Sequence, residues 1–541
     1  MASPTTPLPA LTPHQRATLL VTCVGYFMVL LDVSIVNTAL PSIQRSLHAS
    51  FSELQWVVDA YSLAFATVLL TSGALADRYG RKLLFQIGMA VFAVGSLLCA
   101  LSGTSGQLDG ARVLQGVGGA ALAPTSLALL ATAFPDARQR VRAIALWAAI
   151  SGIALGVGPT VGGVLVTDAG WRWVFFINVP IAALCLLFGV RVLAESTNPA
   201  ARRLDLPGQV TSVLWLGALA YGFVERGSHP WQSARVSVPL AAAAALLLVF
   251  LVIERQSPEP MLPLELFRVR LFSSTALVTF LLGFVLISVP FFIAQYFQGV
   301  QHYSALQAGL RVLAFTTMFS AAAPLAGRLN GRFGFRVPVA LGGVLSALGL
   351  LSLTGLGAGS PYVDVFWRLA LVGFGFGLMV SPLSTAALSA VHPHRAGLAS
   401  SVANTTRQTG TVIGIALLGA FVQTRAVGSA ASVLRSLPHP LPAGAAGSLA
   451  AALGHGGAQA PLPTGLPPGI SAARLHQVGA AAYIHGVHGA FLVSGFILLA
   501  AALAAALLLR PAPPEVAPAS RDSAESGAVA EVAGGVAETV R

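Results

Sequence analysis

The stretch Gly73-Ala-Leu-Ala-Asp77-Arg78-Tyr79-Gly80-Arg81-Lys82 joins two long apolar segments and recurs, altered, as Gly327-Arg-Leu-Asn-Gly331-Arg332-Phe333-Gly334-Phe335-Arg336. Both copies have a glycine, a leucine, an arginine, an aromatic residue, a glycine and a final basic residue in the same order, whereas the second copy lacks the acid. Turns rich in glycine and arginine can recur by chance. Parallel repeats of apolar segments are nevertheless typical of membrane transporters, and the two copies predict a chain built from two related halves.

The composition excludes an ordinary soluble protein. Of the 541 residues 55% are hydrophobic and only 9% are charged, whereas soluble domains carry roughly 25% charged residues. The single lysine, Lys82, precedes Leu83, so the chain lacks a phosphate-binding GxxxxGK[ST] loop and cannot be driven directly by ATP. The three cysteines lie in apolar stretches and indicate neither a disulfide framework nor a metal site. We therefore expect no cofactor.

Fourteen segments are long and apolar enough to cross a bilayer, which needs about 20 apolar residues per helix. They predict an all-α polytopic membrane protein, with one six-helix bundle at 17–193, two additional helices at 194–271 and a second six-helix bundle at 272–510. Residues 426–482 are predicted to form a long external loop, and residues 1–16 and 511–541 to form cytoplasmic tails, the second one disordered. The predicted spans are 17–40, 55–75, 83–103, 108–132, 142–167, 172–193, 207–225, 236–254, 272–298, 305–326, 335–357, 362–390, 398–424 and 484–510.

The basic residues orient these spans. With a cytoplasmic N-terminus, 20 of the 31 basic residues fall on the inner side and eight on the outer side, and three lie within the membrane. The positive-inside rule then places both termini in the cytoplasm of a multi-pass plasma-membrane protein. The net charge of +12 is explained by this bias and does not indicate a nucleic-acid partner. One lysine beside thirty arginines suggests a GC-rich, hence bacterial, genome.

Several stretches resemble a known family. The loop Gly73–Lys82 resembles the loop motif of the major facilitator superfamily, and Leu31–Pro41 resembles the first-span signature of its fourteen-span drug:proton antiporter branch. Further similar stretches are Trp56-Val-Val-Asp59-Ala-Tyr61, Arg112-Val-Leu-Gln115-Gly116-Val-Gly118, Gly152-x3-Gly156-x-Gly158-Pro159-x2-Gly162-Gly163, Trp171-Arg-Trp-Val-Phe-Phe-Ile-Asn178-Val-Pro180 and Asn404-Thr-Thr-Arg407-Gln408-x-Gly410. The resemblance implies the major facilitator fold, that is, two six-helix bundles plus two central helices.

The resemblance also implies a function, namely proton-coupled efflux of lipophilic or cationic small molecules, such as drugs or antibiotics, by alternating access. The expected partners are the substrate, protons and the bilayer, and we expect a monomer that uses the proton gradient as its energy source. Export of an endogenous metabolite and proton-coupled uptake stay open as alternatives. A remote alternative is an intramembrane hydrolase, because Gly103-Thr-Ser105-Gly106 matches a GxSG pattern.

Asp32, Arg112 and Asp59 are the candidates for proton coupling. An unpaired carboxylate at the depth of Asp32 costs about 2.5–3.5 kcal/mol, so Asp32 should face a cavity or a partner. A purely structural hydrogen bond is the alternative role. The resemblance implies that Arg112 faces inward and pairs with the acid of the first span, whereas an interfacial arginine could also extend its stem to the membrane surface. Asp59, early in the second span, is the second candidate acid.

The loop repeat supplies a candidate conformational latch, formed by Gly73, Asp77, Arg78, Gly80 and Arg81. Charge contacts between helices at the cytoplasmic face could hold one conformation, and breaking them would permit another. A plain positive-inside turn explains the arginines but does not explain Asp77.

The glycines of the fifth span form a candidate hinge. The spacing of Gly152, Gly156 and Gly163 lets another helix approach closely, and Pro159 removes a backbone donor and permits a bend. Ordinary small-residue packing is the alternative. Because antiporters of the superfamily share this glycine–proline pattern, the resemblance favours export. The hinge residues are Gly152, Gly156, Gly158, Pro159, Gly162 and Gly163.

A last group of residues could line a cavity in the second half. Arg311 and Arg407 lie within predicted spans, where they could face a cavity or form structural pairs. Tyr296 belongs to an aromatic stretch that could contact a lipophilic substrate, although such residues more often pack or face lipid. The group consists of Arg311, Asn404, Arg407, Gln408 and Tyr296.

Overall fold

The computed structural model describes residues 11–197, 204–391, 396–436, 443–455 and 472–509. Over these ranges the regular secondary structure is helical, with no β-strand. The prediction of an all-α protein is therefore confirmed for the part of the chain that the structure describes. The predicted tail at 511–541 and residues 1–10 lie outside the described ranges.

The first bundle contains seven helices, because its sixth span is divided into a short segment and a longer one. Both α1 and α2 begin with a capping box. In α1 the Thr12 hydroxyl accepts a hydrogen bond from the backbone amide of Gln15, and the Gln15 side chain accepts one from the backbone amide of Thr12. Ser50 and Glu53 form the same pair of hydrogen bonds at the start of α2. The helices are α1 (Pro13–Leu47), α2 (Phe51–Tyr79), α3 (Arg81–Leu101), α4 (Ser105–Ala133), α5 (Ala137–Asp168), α6 (Trp173–Phe176) and α7 (Asn178–Val192).

Two further helices and the second bundle follow. The additional pair is α8 (Leu206–Arg226) and α9 (Ala234–Gln256), connected to the second bundle through a 3₁₀ helix at Leu264–Arg268. The second bundle comprises α10 (Arg270–Leu286), α11 (Ser288–Gln295), a π-helical turn (Tyr296–Val300), α12 (Ala305–Phe333), α13 (Arg336–Leu353), α14 (Tyr362–Ser389), α15 (Ala396–Arg435), α16 (Ala443–His455) and α17 (Ala472–Leu508).

Thirteen helical segments in the described ranges are long and apolar enough to cross a membrane. They correspond to the predicted spans except for the seventh, at 207–225. That span coincides with α8, which has 21 residues but is not among the thirteen. Polar residues such as Gln209 and the end of the helix at Glu225–Arg226 reduce its apolar character.

The two additional helices lie against the junction of the bundles. Helix α8 packs against both α2 and α15, and α9 packs mainly against α8. At one end of α8 the side chain of Gln209 accepts a hydrogen bond from Thr71 of α2. At the other end Arg226 contacts Thr424 of α15 at 3.5 Å. Helix α8 thus contacts both bundles.

The two copies of the loop repeat occupy equivalent turns. Helix α2 ends at Tyr79 and α12 ends at Phe333, and the next residue in each case is a glycine with positive φ, +122° at Gly80 and +70° at Gly334. A residue with a Cβ is strained in this conformation, whereas glycine is not. The glycine shared by the two copies therefore permits the chain to reverse its direction between consecutive helices in each half.

The segment 426–482, predicted as a loop, is largely helical where it is described. Helix α15 continues to Arg435, α16 covers Ala443–His455, and α17 begins at Ala472. Leu434, Leu449 and Leu475 pack together in one apolar cluster. Alanine has the highest intrinsic helix propensity, so the Ala-rich stretches of this segment form helix.

Candidate transport site

A cavity of about 820 Å³ lies between the two bundles. The first bundle lines it with α1, α2 and α5, and the second with α10, α11, α12, α14 and α15. Its volume lies within the range of sites for drug-sized ligands, roughly 300–1,000 Å³. A cavity at this position contacts both halves of the molecule, so a molecule bound in it would respond to any change in their relative arrangement.

The cavity opens towards the face at which α1 begins. Lining residues at the opposite end, such as Thr38, Ala294 and Val312, are buried. Lining residues near the first face, such as Pro324 and Ser384, are exposed. The exposure of the lining residues therefore increases along the cavity towards one face only.

Contacts between the bundles seal the opposite face. Gln55 of α2 donates a hydrogen bond to the carbonyl of Ile415 in α15 (2.9 Å), and Gln298 donates to the carbonyl of Thr38 in α1 (2.9 Å). On the other side of the molecule, α5 and α12 approach so closely that an added Cβ on Gly309 would lie 2.1 Å from the Pro159 carbonyl oxygen. We call this set of contacts the outer seal, after the orientation that the basic residues predict.

The candidate hinge residues divide into two groups. Gly158 and Gly162 pack against α1, and Gly163 packs against α12, where an added Cβ would lie 2.6 Å from the Cα of Leu306. Gly152 and Gly156, expected at a close helix contact, instead line the cavity and have no neighbour within 4 Å of an added Cβ. The reason for the difference is that α5 forms part of the seal at one end and of the cavity wall at the other.

Asp32 and Arg112 form a buried ion pair in the first bundle. The Arg112 Nη1 atom lies 2.5 Å from Asp32 Oδ2, and the two side chains are almost completely shielded from solvent. Asp32 Oδ1 accepts hydrogen bonds from Gln115 (2.7 Å) and Asn178 (3.1 Å). Arg112 also donates to Gln115 (2.6 Å) and to the carbonyl of Val57 (3.0 Å). The carboxylate thus has three donors and the guanidinium three acceptors.

Further side chains complete this network, which joins α1, α2, α3, α4 and α7. Ser96 accepts hydrogen bonds from Gln115 (2.8 Å) and Asn178 (3.4 Å). The Tyr61 ring lies 4.3 Å from the Arg112 guanidinium, on the cavity side of the ion pair. No role was predicted for these residues, although Gln115, Asn178 and Tyr61 lie within the quoted motif stretches. Ser96 lies in a stretch that carried no motif.

Asp59 is buried without a partner. The side chain is completely shielded, and neither carboxylate oxygen has a hydrogen-bond partner among the described residues. It lies one helical turn from Gln55, on the α2 face that meets α15, and three residues before Ser62, which lines the cavity. Asp59 therefore lies between the cavity and the outer seal.

The candidate latch residues make their contacts within the first bundle. Asp77 pairs with Arg81 (2.8 Å) across the turn from α2 to α3. Glu195, beyond the end of α7, accepts hydrogen bonds from the backbone amides of Lys82 and Leu83 (3.0 Å each). Arg78 lies over the Tyr79 ring, whereas Gly73 has open space beside it. Glu195 was not predicted, because no motif marks it.

Of the five cavity candidates of the second half, three line the cavity and two do not. Asn404, Arg407 and Gln408 line the cavity. Arg311 does not line it, because its guanidinium packs on the rings of Tyr303 (3.7 Å) and Tyr362 (5.3 Å) beyond the sealed end. Tyr296 is also outside the cavity, because it belongs to the π-helical turn and donates a hydrogen bond to the carbonyl of Gly357 (2.7 Å). Arg311 and Tyr296, expected as possible cavity residues, therefore lie outside this cavity.

Comparison with known proteins identifies the family. Residues 22–415 match the sequence profile of the Major Facilitator Superfamily. This chain belongs to the Major Facilitator Superfamily. It is 40% identical over 405 residues to the multidrug resistance protein Stp of Mycobacterium tuberculosis, covering 75% of each chain. It is 34% identical over 518 residues to the tetracenomycin C resistance and export protein of Streptomyces glaucescens, covering 95% of each.

Solved structures of transporters share the fold. A bacterial homologue of the human lysosomal transporter Spinster, in an inward-facing and occupied conformation, aligns with a TM-score of 0.62 and 16% identity, covering 93% of this chain and 98% of that one. A D-xylose–proton symporter aligns with a TM-score of 0.59 and 14% identity, covering 92% and 98%. At these identities the likeness establishes the two-bundle architecture.

Membership of the superfamily makes the chain a multi-pass membrane protein of a transporter family. The serine that suggested a hydrolase, Ser105, is the first residue of α4 and donates a hydrogen bond to Glu53 (2.5 Å). Glu53 also accepts the backbone amide of Ser50 (2.6 Å). The hydroxyl of Ser105 thus contacts the carboxylate that caps α2.

Proposed function

We propose that this chain is a proton-driven efflux transporter of the fourteen-span drug:proton antiporter branch, which exports lipophilic small molecules by alternating access. The observation that carries the proposal is the cavity between the bundles, which is open at one face and sealed at the other. The names of the relatives support it, because they describe multidrug resistance, drug efflux and antibiotic resistance or export.

The proposed topology has fourteen spans with both termini in the cytoplasm. Helix α8 serves as the fourteenth span, because it pairs with α9 and runs the length of the α2–α15 junction. With this orientation the cavity opens to the cytoplasm, and the conformation is the one that accepts substrate from inside the cell. We propose that the transporter functions as a monomer.

Alternating access then consists of exchanging one seal for another. Opening to the outside requires the outer seal to part and the bundles to close at the cytoplasmic face. Each half moves as a packed unit because its own helices are in close contact, as at Gly118 in the first half and Gly375 in the second. The substrate is carried because the cavity lies between the moving halves.

Proton movement is assigned to the two buried acids, with the proton gradient as the energy source and no bound cofactor. Asp32 accepts hydrogen bonds from Arg112, Gln115 and Asn178, so we assign it the role of fixed partner of Arg112 in this conformation. An ionised Asp59 would be unpaired and shielded from water at a cost of several kcal/mol, so we assign the proton to Asp59 here.

This assignment couples the proton to the outer seal. Loss of the Asp59 proton to the cytoplasmic cavity, past Ser62, would leave an unpaired negative charge on Asp59 between α2 and α15. This charge would favour separation of the two helices at the seal. Uptake of a proton from outside would let the seal close again. Inward movement of the proton is thereby linked to outward movement of the substrate, as an antiporter requires.

Transport in proteoliposomes tests this function. Purified protein is reconstituted with an acidic interior and a neutral exterior, and the accumulation of lipophilic dyes and antibiotics is followed. We expect accumulation driven by the pH gradient and abolished by a protonophore in those vesicles whose transporters face the exterior with their cytoplasmic side. Release of preloaded substrate under the same gradient would indicate uptake by symport, and the absence of proton-driven flux for every compound would refute the proposal.

A further inference from the structure

Arg407 gives the transport cavity a positive charge. Among the described residues that line the cavity, it is the only Arg, Lys, Asp or Glu. The remaining lining residues are apolar, aromatic, or neutral polar residues such as Asn37 and Gln408. The ion pair of Asp32 and Arg112 does not line the cavity, because Tyr61 lies between. A molecule in the cavity therefore meets one uncompensated cation.

The guanidinium of Arg407 has no carboxylate partner in the described part of the chain. Its Nη2 atom donates to Asn404 Oδ1 at 3.3 Å, and Asn404 is a neutral residue of the same helix. Arg112, by contrast, has a carboxylate and two further acceptors. An ionised group within a membrane protein is costly unless it is paired or faces water, and the open face of the cavity provides that water in this conformation.

The backbone of Arg407 is rigidly held. Gly283 of α10 packs on it so closely that an added Cβ would lie 2.1 Å from the Arg407 carbonyl oxygen. Gly410 and Gly414, on the same side of α15, pack on α10 with contacts of 2.3 and 1.9 Å for an added Cβ. The close packing of α10 and α15 fixes where the guanidinium enters the cavity, as a binding residue requires.

Flat aromatic surfaces line the same cavity. Tyr26 and Trp147 stack with their ring centroids 4.6 Å apart and their planes 11° apart on the first bundle. Phe315 and Phe319 stack on the second bundle, with centroids 6.4 Å apart. These surfaces suit planar ring systems, which gain both apolar burial and favourable ring contacts.

We propose that the preferred substrates are lipophilic aromatic molecules that carry one ionised acidic group, such as a carboxylate, phenolate or enolate, and that Arg407 binds this group. This inference rests on the proposed efflux function and names its substrate class. When the bundles close at the cytoplasmic face, Arg407 loses water, and an anionic substrate replaces that water with a charge-assisted hydrogen bond. A cationic substrate would instead add a second positive charge to a low-dielectric cavity.

Substrate charge also affects the driving force. Exchange of n inward protons for one outward monoanion moves n+1 positive charges inward, whereas exchange for a monocation moves n−1. A membrane potential that is negative inside therefore drives export of the anion more strongly than export of the cation, at about 2.3 kcal/mol per charge for each 100 mV.

Binding of three matched fluorescent probes tests the inference. The probes are anthracene-2-carboxylate, the neutral anthracene-2-carboxamide and the cationic 2-(aminomethyl)anthracene, titrated into purified full-length protein without a gradient. We expect the carboxylate to bind about ten-fold more tightly than the cation, as one charge-assisted hydrogen bond provides. Arg407→Gln should remove the preference, Arg407→Lys should keep its sign, and Arg311→Gln, outside the cavity, should leave the order unchanged.

The outcomes separate this inference from the proposed function. Equal or tighter binding of the cation by the wild-type protein would overturn the anion preference, and so would an unchanged order in a folded Arg407→Gln variant. Binding of the neutral carboxamide reports whether that variant keeps an intact cavity. Proton-driven flux of any probe tests efflux itself, so efflux can stand when the charge preference fails.

Discussion

At the scale of single residues, the two buried acids of the first bundle occupy opposite environments. Asp32 accepts hydrogen bonds from Arg112, Gln115 and Asn178, whereas Asp59 accepts none from the described residues. This difference in hydrogen bonding is why we assign the two acids different roles. Asp32 joins helices of the first bundle through its donors, and Asp59 is the acid to which we assign the proton.

Asp59→Asn should uncouple transport while preserving the fold. The amide replaces an acid that we assign as neutral in this conformation, so substrate binding and the unfolding temperature should be retained. Proton-driven flux in proteoliposomes should fall by about ten-fold or more. Asp168→Asn, at the exposed end of α5, is the matched control and should transport normally. Normal proton-driven flux in Asp59→Asn would exclude this acid as the coupling residue.

Arg112→Gln should be strongly destabilising, because it leaves Asp32 buried without a cation. Removing one partner of a buried pair costs about 3–5 kcal/mol. The double variant Asp32→Asn/Arg112→Gln should regain most of that stability, since no charge then stays buried. Thermal unfolding of the single and double variants in detergent measures the coupling. Additive destabilisation by the two changes would show that the ion pair contributes nothing as a pair.

At the scale of helices, α5 is divided along its length. Its outer third packs through Gly158, Gly162 and Gly163 against α1 and α12, and its middle lines the cavity at Gly152 and Gly156. A glycine at a close helix contact permits the approach, whereas a glycine at the cavity wall provides room for a ligand. The glycines of this one motif therefore have different roles, depending on whether they pack against another helix or line the cavity.

Gly309→Val should open the outer seal. The new side chain would collide with the Pro159 carbonyl, so α5 and α12 must separate at that end. Spin labels at Asp168→Cys and His302→Cys, in a background without the native cysteines, should report a longer mean distance by pulsed electron resonance. Gly152→Val, where the structure shows free space, is the control for the seal and should leave the distance distribution unchanged. An unchanged distribution in Gly309→Val would contradict the role of this contact.

Part of this helix arrangement could be predicted from the sequence alone. Apolar segments and capping residues are local features, so the helices and the turns at Gly80 and Gly334 could be anticipated. The position of Arg311 could not, because span length gives the depth of a residue but does not show that two tyrosines cover its guanidinium. Ser96 was missed since a lone serine in an apolar helix has no local pattern, and it acquires a role only through its neighbours on α4 and α7.

At the scale of the whole molecule, the bundles meet on two sides of the cavity. Helices α5 and α12 meet on one side and α2 and α15 on the other, both at the face where the cavity is closed. Because the same interfaces close the cavity and connect the halves, transport requires them to break in each cycle. The outer seal must therefore be strong enough to exclude leakage yet weak enough to open.

Cross-linking the outer seal should trap the conformation described here. Ser52 and Gln423 contact each other at 3.4 Å across the α2–α15 interface. In a background without the native cysteines, the Ser52→Cys/Gln423→Cys variant is joined by a short bifunctional methanethiosulfonate reagent, which forms a disulfide with each thiol and releases sulfinate. The cross-linked protein should bind substrate from the cytoplasmic side but lose flux, and reduction of the disulfides should restore it. The two single-cysteine variants, treated alike, should retain transport. Flux that persists in fully cross-linked protein would show that this interface need not open.

Helix α8 is attached to α2 along its length, through Gln209 near its beginning and Tyr221 near its end, whereas Arg226 attaches its end to α15. The contact with α15 lies at the face that must separate, so it must yield while the contacts with α2 persist. We therefore expect the two additional helices to travel with the first bundle. Because they load only one flank of a molecule built from two related halves, the two flanks cannot be mechanically equivalent during transport.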